Sequence, residues 1–301
     1  MKASTQLQNQ IETICLEHIK TLRLPDDFIQ VIRDVYLPLS EKLLQNKTEQ
    51  PFFVSINGAQ GTGKSTLTSF LQILLQARLN APVAAFSIDD FYATHQQRQK
   101  LGHDIHPLLA TRGVPGTHDL DLLENVLDNL LSQKPCKVPR FDKAIDDRCE
   151  KHEWSKYDQP VKVILFEGWC NHSPSQTAAE LEQPINELEA TEDQQGTWRN
   201  YANDKLNEYH KRVFSFADTC IMLKSPDFEH VYQWRALQEE KLRQATSTQQ
   251  SHRLMDQATL KRFIQHYERI TRHTLKHLPD SADFVLPVNP NHSITAVSYT
   301  H

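Results

Sequence analysis

The amino-acid sequence predicts a three-layer α/β fold on a mostly parallel sheet, with added N-terminal helices and a helical lid. Two observations indicate this fold. Long helical stretches separate short apolar segments typical of strands, which lie at 52–57, 83–88, 161–166, 219–223 and 283–286. Three of the chain's eight glycines also fall within six positions directly after the first of these segments. Strands that alternate with helices form parallel sheets covered on both faces.

The N-terminal region is expected to be helical. Apolar residues recur at three- and four-residue spacing in "IETICLEHIKTL" and "FIQVIRDVYLPLSEKLLQ", which predicts two helices within residues 4–46 that separate at Pro25. We therefore expect residues 1–48 to form a helical extension that packs on a main domain of residues 49–301.

Within the main domain, the same periodicity predicts further helices, at 64–79, 118–132, 200–214, 227–245 and 256–278. Residues 171–197 are polar and only weakly periodic, so we expect 171–215 to form a surface excursion. Residues 226–246 are expected to form a lid helix.

The glycine cluster matches a phosphate-binding pattern. "INGAQGTGKSTL" at 56–67 contains G-x-x-x-x-G-K-[ST] between a predicted strand and a predicted helix, which is the context of a P-loop. An ordinary glycine turn would match by chance in on the order of 1% of chains of this length. In a P-loop the backbone N–H groups bind phosphate oxygens, the lysine reaches the β- and γ-phosphates, and the hydroxyl binds Mg²⁺. The predicted ATP-binding residues are Gly58, Ala59, Gln60, Gly61, Thr62, Gly63, Lys64, Ser65 and Thr66.

Acidic residues follow two other predicted strands. Ligands of parallel sheets bind at the carboxyl ends of the strands. Asp89, after "PVAAFSI", is placed to accept a proton from an attacking hydroxyl, although Asp89 or Asp90 could instead cap the next helix. Glu167, after "VKVILF", has the position of a Walker-B acid that holds Mg²⁺ together with Ser65; the alternative is a strand-end carboxylate in solvent.

Two turn-rich segments and one helix supply basic residues. "TRGVPGTHDLD" at 111–121 and "VPRFDKAIDDR" at 138–148 carry cations that could bind an anionic substrate or pair with nearby aspartates. Asp119 or Thr117 could equally cap a helix, and a lone His118 is more often structural. Arg235 in "VYQWRALQEEKLR" is placed to close over phosphates, or to lie on a solvated helix face.

Composition narrows the class of partner. A net charge of −5, with a pI near 6.3, argues against nucleic acid as the main partner. The five cysteines are scattered, which fits reduced thiols of the cytosol. No apolar run approaches the 18 residues or so of a membrane span, and no signal-peptide pattern follows Met1. We expect a cytoplasmic protein without membrane partners; its oligomeric state is not indicated.

Six motifs together are specific enough to suggest a family: "GAQGTGKSTL", "SIDDFY", "RGVPGTHD", "PRFDK…DR", "FEGW" and "WRALQEEK". From about residue 50 onward the sequence resembles the D-glycerate 3-kinase and glycerate-kinase-like family. That family lies within the wider P-loop group of uridine kinases, phosphoribulokinases and bacterial pantothenate kinases. The resemblance implies a P-loop NTPase fold and transfer of a phosphoryl group from MgATP to a small hydroxyl-bearing substrate.

The resemblance also assigns roles. It implies that Lys64, Asp89 and Arg235 are catalytic, with Asp89 as the base, and that Glu167 is the Mg²⁺ partner. The candidate substrate-binding residues are Asp90, Tyr92, Arg112, His118, Asp119, Arg140, Asp142, Lys143 and Arg148. The sequence departs from the family pattern on the acceptor side, where "CNHSPSQ" follows "FEGW", "DKAIDDR" lacks glycine, and Phe141 replaces a common tyrosine. D-glycerate is the favoured acceptor; a nucleoside, a pantothenate-like acid, or a non-enzymatic ATP-binding switch are the alternatives.

Overall fold

A computed structural model describes residues 2–45, 51–245, 255–294 and 298–299 of the 301-residue chain. The helices in chain order are α1 (Lys2–Thr21), α2 (Phe28–Val31), α3 (Leu37–Gln45), α4 (Lys64–Leu79), α5 (His95–Asp104), α6 (Leu120–Leu131), α7 (Ala178–Leu181), α8 (Glu187–Glu192), α9 (Thr197–Arg212), α10 (Phe228–Ala245) and α11 (Gln257–His277). The strands are β1 (Phe52–Gly58), β2 (Val83–Ser87), β3 (Cys136–Val138), β4 (Phe141–Asp142), β5 (Asp147–Arg148), β6 (Ser155–Tyr157), β7 (Val163–Gly168), β8 (Thr219–Lys224), β9 (Phe284–Pro287) and β10 (Ser298–Tyr299).

The main sheet has the strand order β10-β9-β8-β1-β7-β2. Five of its strands are parallel, and β10 runs antiparallel along one edge. The five parallel strands confirm the fold class and the five predicted strand segments. The antiparallel β10 and the short pairs β3–β6 and β4–β5 were not predicted.

Strands β1 and β7 carry apolar residues on both faces, as parallel strands between helix layers do. Every residue of β1 and β7 is buried. On one face, Val54 and Leu165 belong to a core with Phe70 of α4 and with Cys15 of α1. On the other face, Phe53, Phe166 and neighbouring residues pack with α6 and α9 through side chains that include Leu127 and Tyr209. The sheet is therefore the middle of three layers, and its buried strands hold the loops at their carboxyl ends in place.

The N-terminal helices differ in one detail from the prediction. They separate near Pro25 as expected, but a π-helical turn, Ile32–Tyr36, interrupts the second helix and joins α2 to α3. Pro38 follows that turn. A proline ring clashes with the carbonyl four residues earlier in a regular α-helix, and a wider turn relieves the clash. The proposed boundary between residues 48 and 49 lies outside the described residues.

The segment 171–215 contains α7, α8 and α9 and is tied to the rest of the molecule by buried charges. Glu189 of α8 forms an ion pair of 2.6 Å with Arg269 of α11, and both side chains are almost fully buried. Within the segment, Arg199 of α9 pairs with the buried Asp193 at 3.1 Å. Across the described ranges, no helix combines the length and apolar character needed to cross a bilayer.

Candidate active site

The glycine loop joins β1 to α4 and leaves an open space at the helix N-terminus. Gly61 and Gly63 have φ of 82° and 91°, a left-handed conformation that favours glycine. A Cβ at Gly61 would lie 2.8 Å from Cβ of Trp234, whereas a Cβ at Gly63 would meet no protein atom within 4 Å. The first backbone N–H groups of an α-helix have no partner within the helix. The loop thus leaves room for an anion in front of α4.

Lys64 is the first residue of α4 and turns back over the loop. Its Nζ donates a hydrogen bond to the carbonyl of Ala59 at 3.1 Å. Thr62 Oγ1 donates to the same carbonyl at 2.8 Å, which fixes the loop from inside. Burial lowers the pKa of Lys64, while the carboxylates of Glu167 and Asp89 oppose that change. The Lys64 ammonium group therefore lies near the carboxylates of Glu167 and Asp89.

Ser65 and Glu167 meet because β7, which carries Glu167, is the neighbour of β1, whose glycine loop leads to Ser65 at the start of α4. β1 pairs with β7 so that Ile56 lies opposite Glu167, at the carboxyl ends of both strands. Ser65 Oγ donates to Glu167 Oε1 at 2.9 Å, and Glu167 is buried. A hydroxyl and a carboxylate beside a phosphate site are oxygen donors of the type that Mg²⁺ takes. The residues present therefore fit a magnesium ion, which Ser65 and Glu167 would hold.

A short capping motif aims Asp89 and Asp90 in different directions. β2 ends at Ser87, and a 3₁₀ turn, Ile88–Phe91, follows. Asp90 Oδ2 accepts the backbone N–H of Ser87 at 3.1 Å, while Ser87 Oγ accepts that of Asp89 at 3.2 Å. Asp90 thus caps the turn, as the alternative interpretation held, and still lines the cavity; burial raises its pKa to about 6. Only the backbone N–H of Asp89 takes part in the cap, and its carboxylate is left available for another partner.

Asp89 forms an ion pair with Lys143. Lys143 lies between β4 and β5, and its Nζ is 2.5 Å from Asp89 Oδ2. Burial would raise the pKa of Asp89, but the adjacent ammonium holds it below its ordinary value. Burial would likewise lower the pKa of Lys143, and Asp89 raises it above its ordinary value. The carboxylate is consequently ionised at neutral pH.

The β4–β5 hairpin that carries Lys143 is fixed by arginines. Asp146 has a left-handed φ of 57° and accepts hydrogen bonds from Arg112 and from the fully buried Arg98. Arg148 donates to the carbonyl of Tyr92 at 3.0 Å and to Asp119 Oδ2 at 2.9 Å. These contacts hold the hairpin over the end of β2.

The loop, the acids and the hairpin enclose a cavity of about 500 Å³. It lies at the carboxyl ends of β1, β2 and β7, as expected for a parallel sheet. Its lining residues are Gln60, Gly61, Lys64, Ser65, Ser87, Asp89, Asp90, Tyr92, Arg112, Phe141, Lys143, Glu167, Trp169, Arg235, Gln238, Met255, Phe263 and Tyr267. The predicted catalytic residues and both predicted metal ligands are among them.

Arg235 reaches the cavity from α10, the helix predicted to be the lid. Its guanidinium pairs with Glu239 one turn along the helix at 2.8 Å. Glu239 is buried and accepts the backbone N–H of Met255 at 3.0 Å. The pairing holds Arg235 on the face of α10 that looks onto the cavity.

Five predicted substrate-binding residues lie outside the cavity lining: His118, Asp119, Arg140, Asp142 and Arg148. Most of them form hydrogen bonds or ion pairs with residues elsewhere in the fold. His118 is buried behind Tyr92, its Nδ1 lies 3.0 Å from the hydroxyl of Tyr209, and burial lowers its pKa to about 4. Asp119 caps α6 through the N–H of Leu122 at 3.1 Å, in addition to its pair with Arg148.

Arg140 and Asp142 are the remaining two. Arg140 is exposed to solvent. Asp142 Oδ1 accepts the backbone N–H of Ala144 at 2.7 Å, which closes the turn of the hairpin. Such local side-chain to backbone bonds are typical of aspartate in turns. Neither residue belongs to the cavity lining.

Aromatic residues form a wall of the cavity that sequence reasoning missed. Trp169 Nε1 donates to the carbonyl of Gly113 at 3.2 Å, and its ring meets Tyr267 edge to face at 4.8 Å. A Cβ at Gly113, whose φ is 150°, would lie 2.6 Å from the Tyr267 hydroxyl. Trp169 belongs to the motif "FEGW", whereas Tyr267 lies in "HYERITRH" at 266–273, outside the six motifs.

A phosphate loop at a helix N-terminus, a Ser–Glu pair for a cation and an aspartate at the end of the next strand meet at one edge of a parallel sheet. Together the fold and the site define a P-loop kinase.

Comparisons with known proteins agree. No protein-family model matches the sequence. It is 32% identical over 256 residues to the uncharacterised kinase mug58 of Schizosaccharomyces pombe, covering 79% of this chain and 86% of that protein. It is 30% identical over 204 residues to the chloroplastic D-glycerate 3-kinase of Arabidopsis thaliana, covering 64% of this chain and 42% of that protein. The chain belongs to the family of P-loop kinases that includes D-glycerate 3-kinase.

A solved structure gives the same fold. The D-glycerate 3-kinase from Cryptococcus neoformans superposes with a TM-score of 0.72 at 24% sequence identity, covering 88% of this chain and 98% of that one. A likeness at that level of identity concerns the architecture, which is the three-layer arrangement described above.

Proposed function

We propose that the protein is an ATP-dependent kinase that transfers the γ-phosphate to a hydroxyl of a small carboxylic acid, with D-glycerate as the acceptor. One observation carries the acceptor class: Arg112 lines the same cavity as Asp89 and Lys64. A guanidinium that faces a cavity can bind a carboxylate through two parallel hydrogen bonds. The names of relatives that are D-glycerate 3-kinases support the same acceptor.

Arg112 is held so that part of its guanidinium remains available. One terminal nitrogen, Nη1, pairs with Asp146, and the group lies 5.8 Å from the centre of the Phe141 ring. Arginine has five N–H donors in a planar fork, so one pairing leaves several donors for a ligand. Asp146 thereby orients the fork. Of the three arginines considered from the sequence, Arg140 and Arg148 lie outside the cavity lining.

The roles of the other residues follow from their positions. The backbone of the loop and Lys64 bind the phosphates of ATP, which is a substrate. Asp89 accepts the proton of the acceptor hydroxyl while that oxygen bonds to the γ-phosphorus and the bond from phosphorus to the bridging oxygen breaks, so that ADP leaves. A Mg²⁺ ion held by Ser65 and Glu167 supplies neutralisation of phosphate charge. Arg235 and Lys143 supply further positive charge at the cavity.

An ionised Asp89 suits this reaction. In a loose phosphoryl-transfer transition state the attacking oxygen has little bonding to phosphorus, so positioning and charge stabilisation matter more than base strength. The Lys143 ammonium keeps Asp89 ionised, and its hydrogen bond sets the direction of the carboxylate. When an acceptor hydroxyl takes the place of that hydrogen bond, Lys143 becomes available to the transferred group or to the acceptor.

The test is an acceptor screen that follows ADP release from MgATP. D-glycerate, L-glycerate, other hydroxy acids, pantothenate, sugars and nucleosides are compared by kcat/KM, and D-glycerate is expected to be the best. Arg112→Lys keeps the charge but loses the fork, so KM for the acid should rise on the order of tenfold or more. Arg140→Lys is the matched control and should leave KM unchanged, since Arg140 is exposed and outside the cavity lining.

The other outcomes each select a different function. A nucleoside as best acceptor would replace the proposal, because the aromatic wall would then be the binding surface. Pantothenate as best acceptor would keep the carboxylate class but replace D-glycerate. If no acceptor stimulates ADP release, the protein is an ATP-binding switch and the kinase proposal for a small acid is wrong.

A further inference from the structure

A second group of polar side chains lies away from the active-site cavity. Glu180 of α7 faces His273 and His277, which stand one turn apart on α11. One carboxylate oxygen and one nitrogen from each ring all lie within 4.8 Å of one another. Within the described part of the chain, this is the one group of three histidine, cysteine or acidic side chains spaced in this way.

Glu180 is oriented by the start of its own helix. Its Oε2 accepts the backbone N–H of Thr177 at 2.8 Å and the Thr177 hydroxyl at 2.8 Å, which completes a capping box. The other oxygen, Oε1, is directed at His273 Nδ1, 3.8 Å away. Hydrogen bonds from Thr177 also hold the pKa of Glu180 below its ordinary value, so the carboxylate is ionised. The unused oxygen therefore presents negative charge to the two rings.

The two histidines are suited to metal binding. The side chain of His273 is 10% exposed, and burial lowers its pKa, as does the neighbouring His277. A neutral imidazole with a free lone pair is the form that binds a metal.

His277 supplies an independent observation. Its Nε2 is shielded from solvent and has no hydrogen-bond partner among the residues that the structure describes. A buried nitrogen without a partner is costly, and a metal ion would satisfy it. Its ring lies against that of His273, with centroids 4.4 Å apart.

We infer that Glu180, His273 and His277 form a binding site for a divalent transition metal of the zinc type, separate from the magnesium site. Two imidazoles and one carboxylate, with water as the fourth ligand, are a common ligand set for Zn²⁺, while Mg²⁺ prefers oxygen donors alone. Bond lengths of about 2.0–2.1 Å require ligand atoms about 3.3 Å apart in a tetrahedral site, so small side-chain rotations close the group around the ion.

The bound metal would join two distant parts of the chain. α7 belongs to the segment 171–215, and α11 carries Phe263 and Tyr267 into the active-site cavity. Tyr267 precedes His273 by six residues, about 9 Å along a helix. The metal would therefore fix the position of α11 relative to α7 and stabilise the folded state, whichever acceptor the kinase uses.

The test is a Zn²⁺ titration of the whole protein against a chromophoric chelator, with excess Mg²⁺ present to occupy the other site. We expect one Zn²⁺ per chain and a higher melting temperature with Zn²⁺. Glu180→Gln should weaken Zn²⁺ binding at least tenfold, yet glutamine still completes a capping box. His277→Gln should have the same effect. Glu182→Gln and His103→Gln change exposed side chains outside the group and should not alter binding.

Two outcomes would overturn the inference. The first is wild-type protein that binds no Zn²⁺ in excess Mg²⁺, a result that does not depend on the folding of any variant. The second is a Zn²⁺ affinity that stays unchanged in both Glu180→Gln and His277→Gln, which would show that the ion binds elsewhere. X-ray absorption of the wild-type zinc complex gives a further check: two imidazole ligands are expected, and sulfur ligands would place the ion at cysteines instead.

Discussion

Lys143 Nζ lies 2.5 Å from Asp89 Oδ2, and this ion pair joins the β4–β5 hairpin to the end of β2. The pair unites a predicted base with a predicted substrate-binding cation. Asp89 is about one quarter exposed and Lys143 more than half exposed, so the pair lies at the rim of the cavity, where a substrate can reach it. The pH dependence of the enzyme should therefore depend on Lys143.

Lys143→Met should shift the acid limb of the kcat profile to higher pH. Burial raises the pKa of Asp89 and the Lys143 ammonium lowers it, so loss of the ammonium leaves the raising effect and Asp89 takes up a proton at higher pH. Activity that needs ionised Asp89 is then lost earlier as the pH falls. The measurement is kcat against pH with the best acceptor. Lys143→Arg should restore most of the wild-type profile, and the exposed Lys137→Met should not change it. An acid limb that stays in place or moves to lower pH contradicts this account.

Asp89→Asn should separate catalysis from nucleotide binding. The amide keeps the shape of the side chain but cannot accept the proton, so turnover should fall by roughly 100-fold or more. In the proposed function Asp89 binds the acceptor and not ATP, so ATP affinity should change little. Calorimetry with ATP and ADP release with the best acceptor measure the two effects. Asp142→Asn, on the β4–β5 hairpin and outside the cavity lining, is the control. Equal loss of ATP binding and turnover would assign Asp89 to the metal site.

Glu167→Gln should raise the Mg²⁺ concentration that gives half-maximal rate, by roughly tenfold or more. A neutral amide oxygen is a poorer ligand for a hard cation than a carboxylate. The rate is measured against Mg²⁺ at fixed ATP, and Asp158→Asn, an exposed acid outside the cavity, serves as control. A half-maximal concentration that does not move would leave Glu167 with only its structural bond to Ser65.

Glu189→Gln should lower the free energy of unfolding by about 3–5 kcal/mol, because it leaves the buried guanidinium of Arg269 without its counter-charge. Glu192→Gln, whose partner Arg262 is about half exposed, should cost less than about 1 kcal/mol. Urea unfolding with unchanged m-values measures both. Similar losses of unfolding free energy in the two variants would show that burying the Glu189–Arg269 pair does not make it cost more to break than an exposed pair.

Much of the fold could be predicted because its signals are local. Continuous apolar strands such as β1 and β7 mark a sheet buried on both faces, and glycines at left-handed positions mark the loop. β4, β5 and β10 have two residues each, too short for any periodicity. Their pairing depends on tertiary contacts.

The acceptor side was harder to predict because its arginines look alike in sequence. Arg112 and Arg148 both lie near aspartates in turn-rich segments. Only the fold decides that Arg148 bridges Tyr92 and Asp119, while Arg112 reaches the cavity. Tyr267 comes from a helix more than 150 residues beyond Arg112, and no local pattern predicts that its hydroxyl lies 3.4 Å from the Arg112 carbonyl.

The position of β1 in the middle of the sheet has a consequence for synthesis on the ribosome. β1 and its glycine loop emerge early, but its two neighbours, β7 and β8, follow more than a hundred residues later. At about 5–20 residues per second, β7, the first of these neighbours, is translated roughly five to twenty seconds after the loop. A nucleotide stabilises only chains in which its site exists. The nascent chain must therefore hold the apolar strand β1 without a neighbouring strand for that interval, a period in which chaperones or early packing against α4 and the N-terminal helices would protect it.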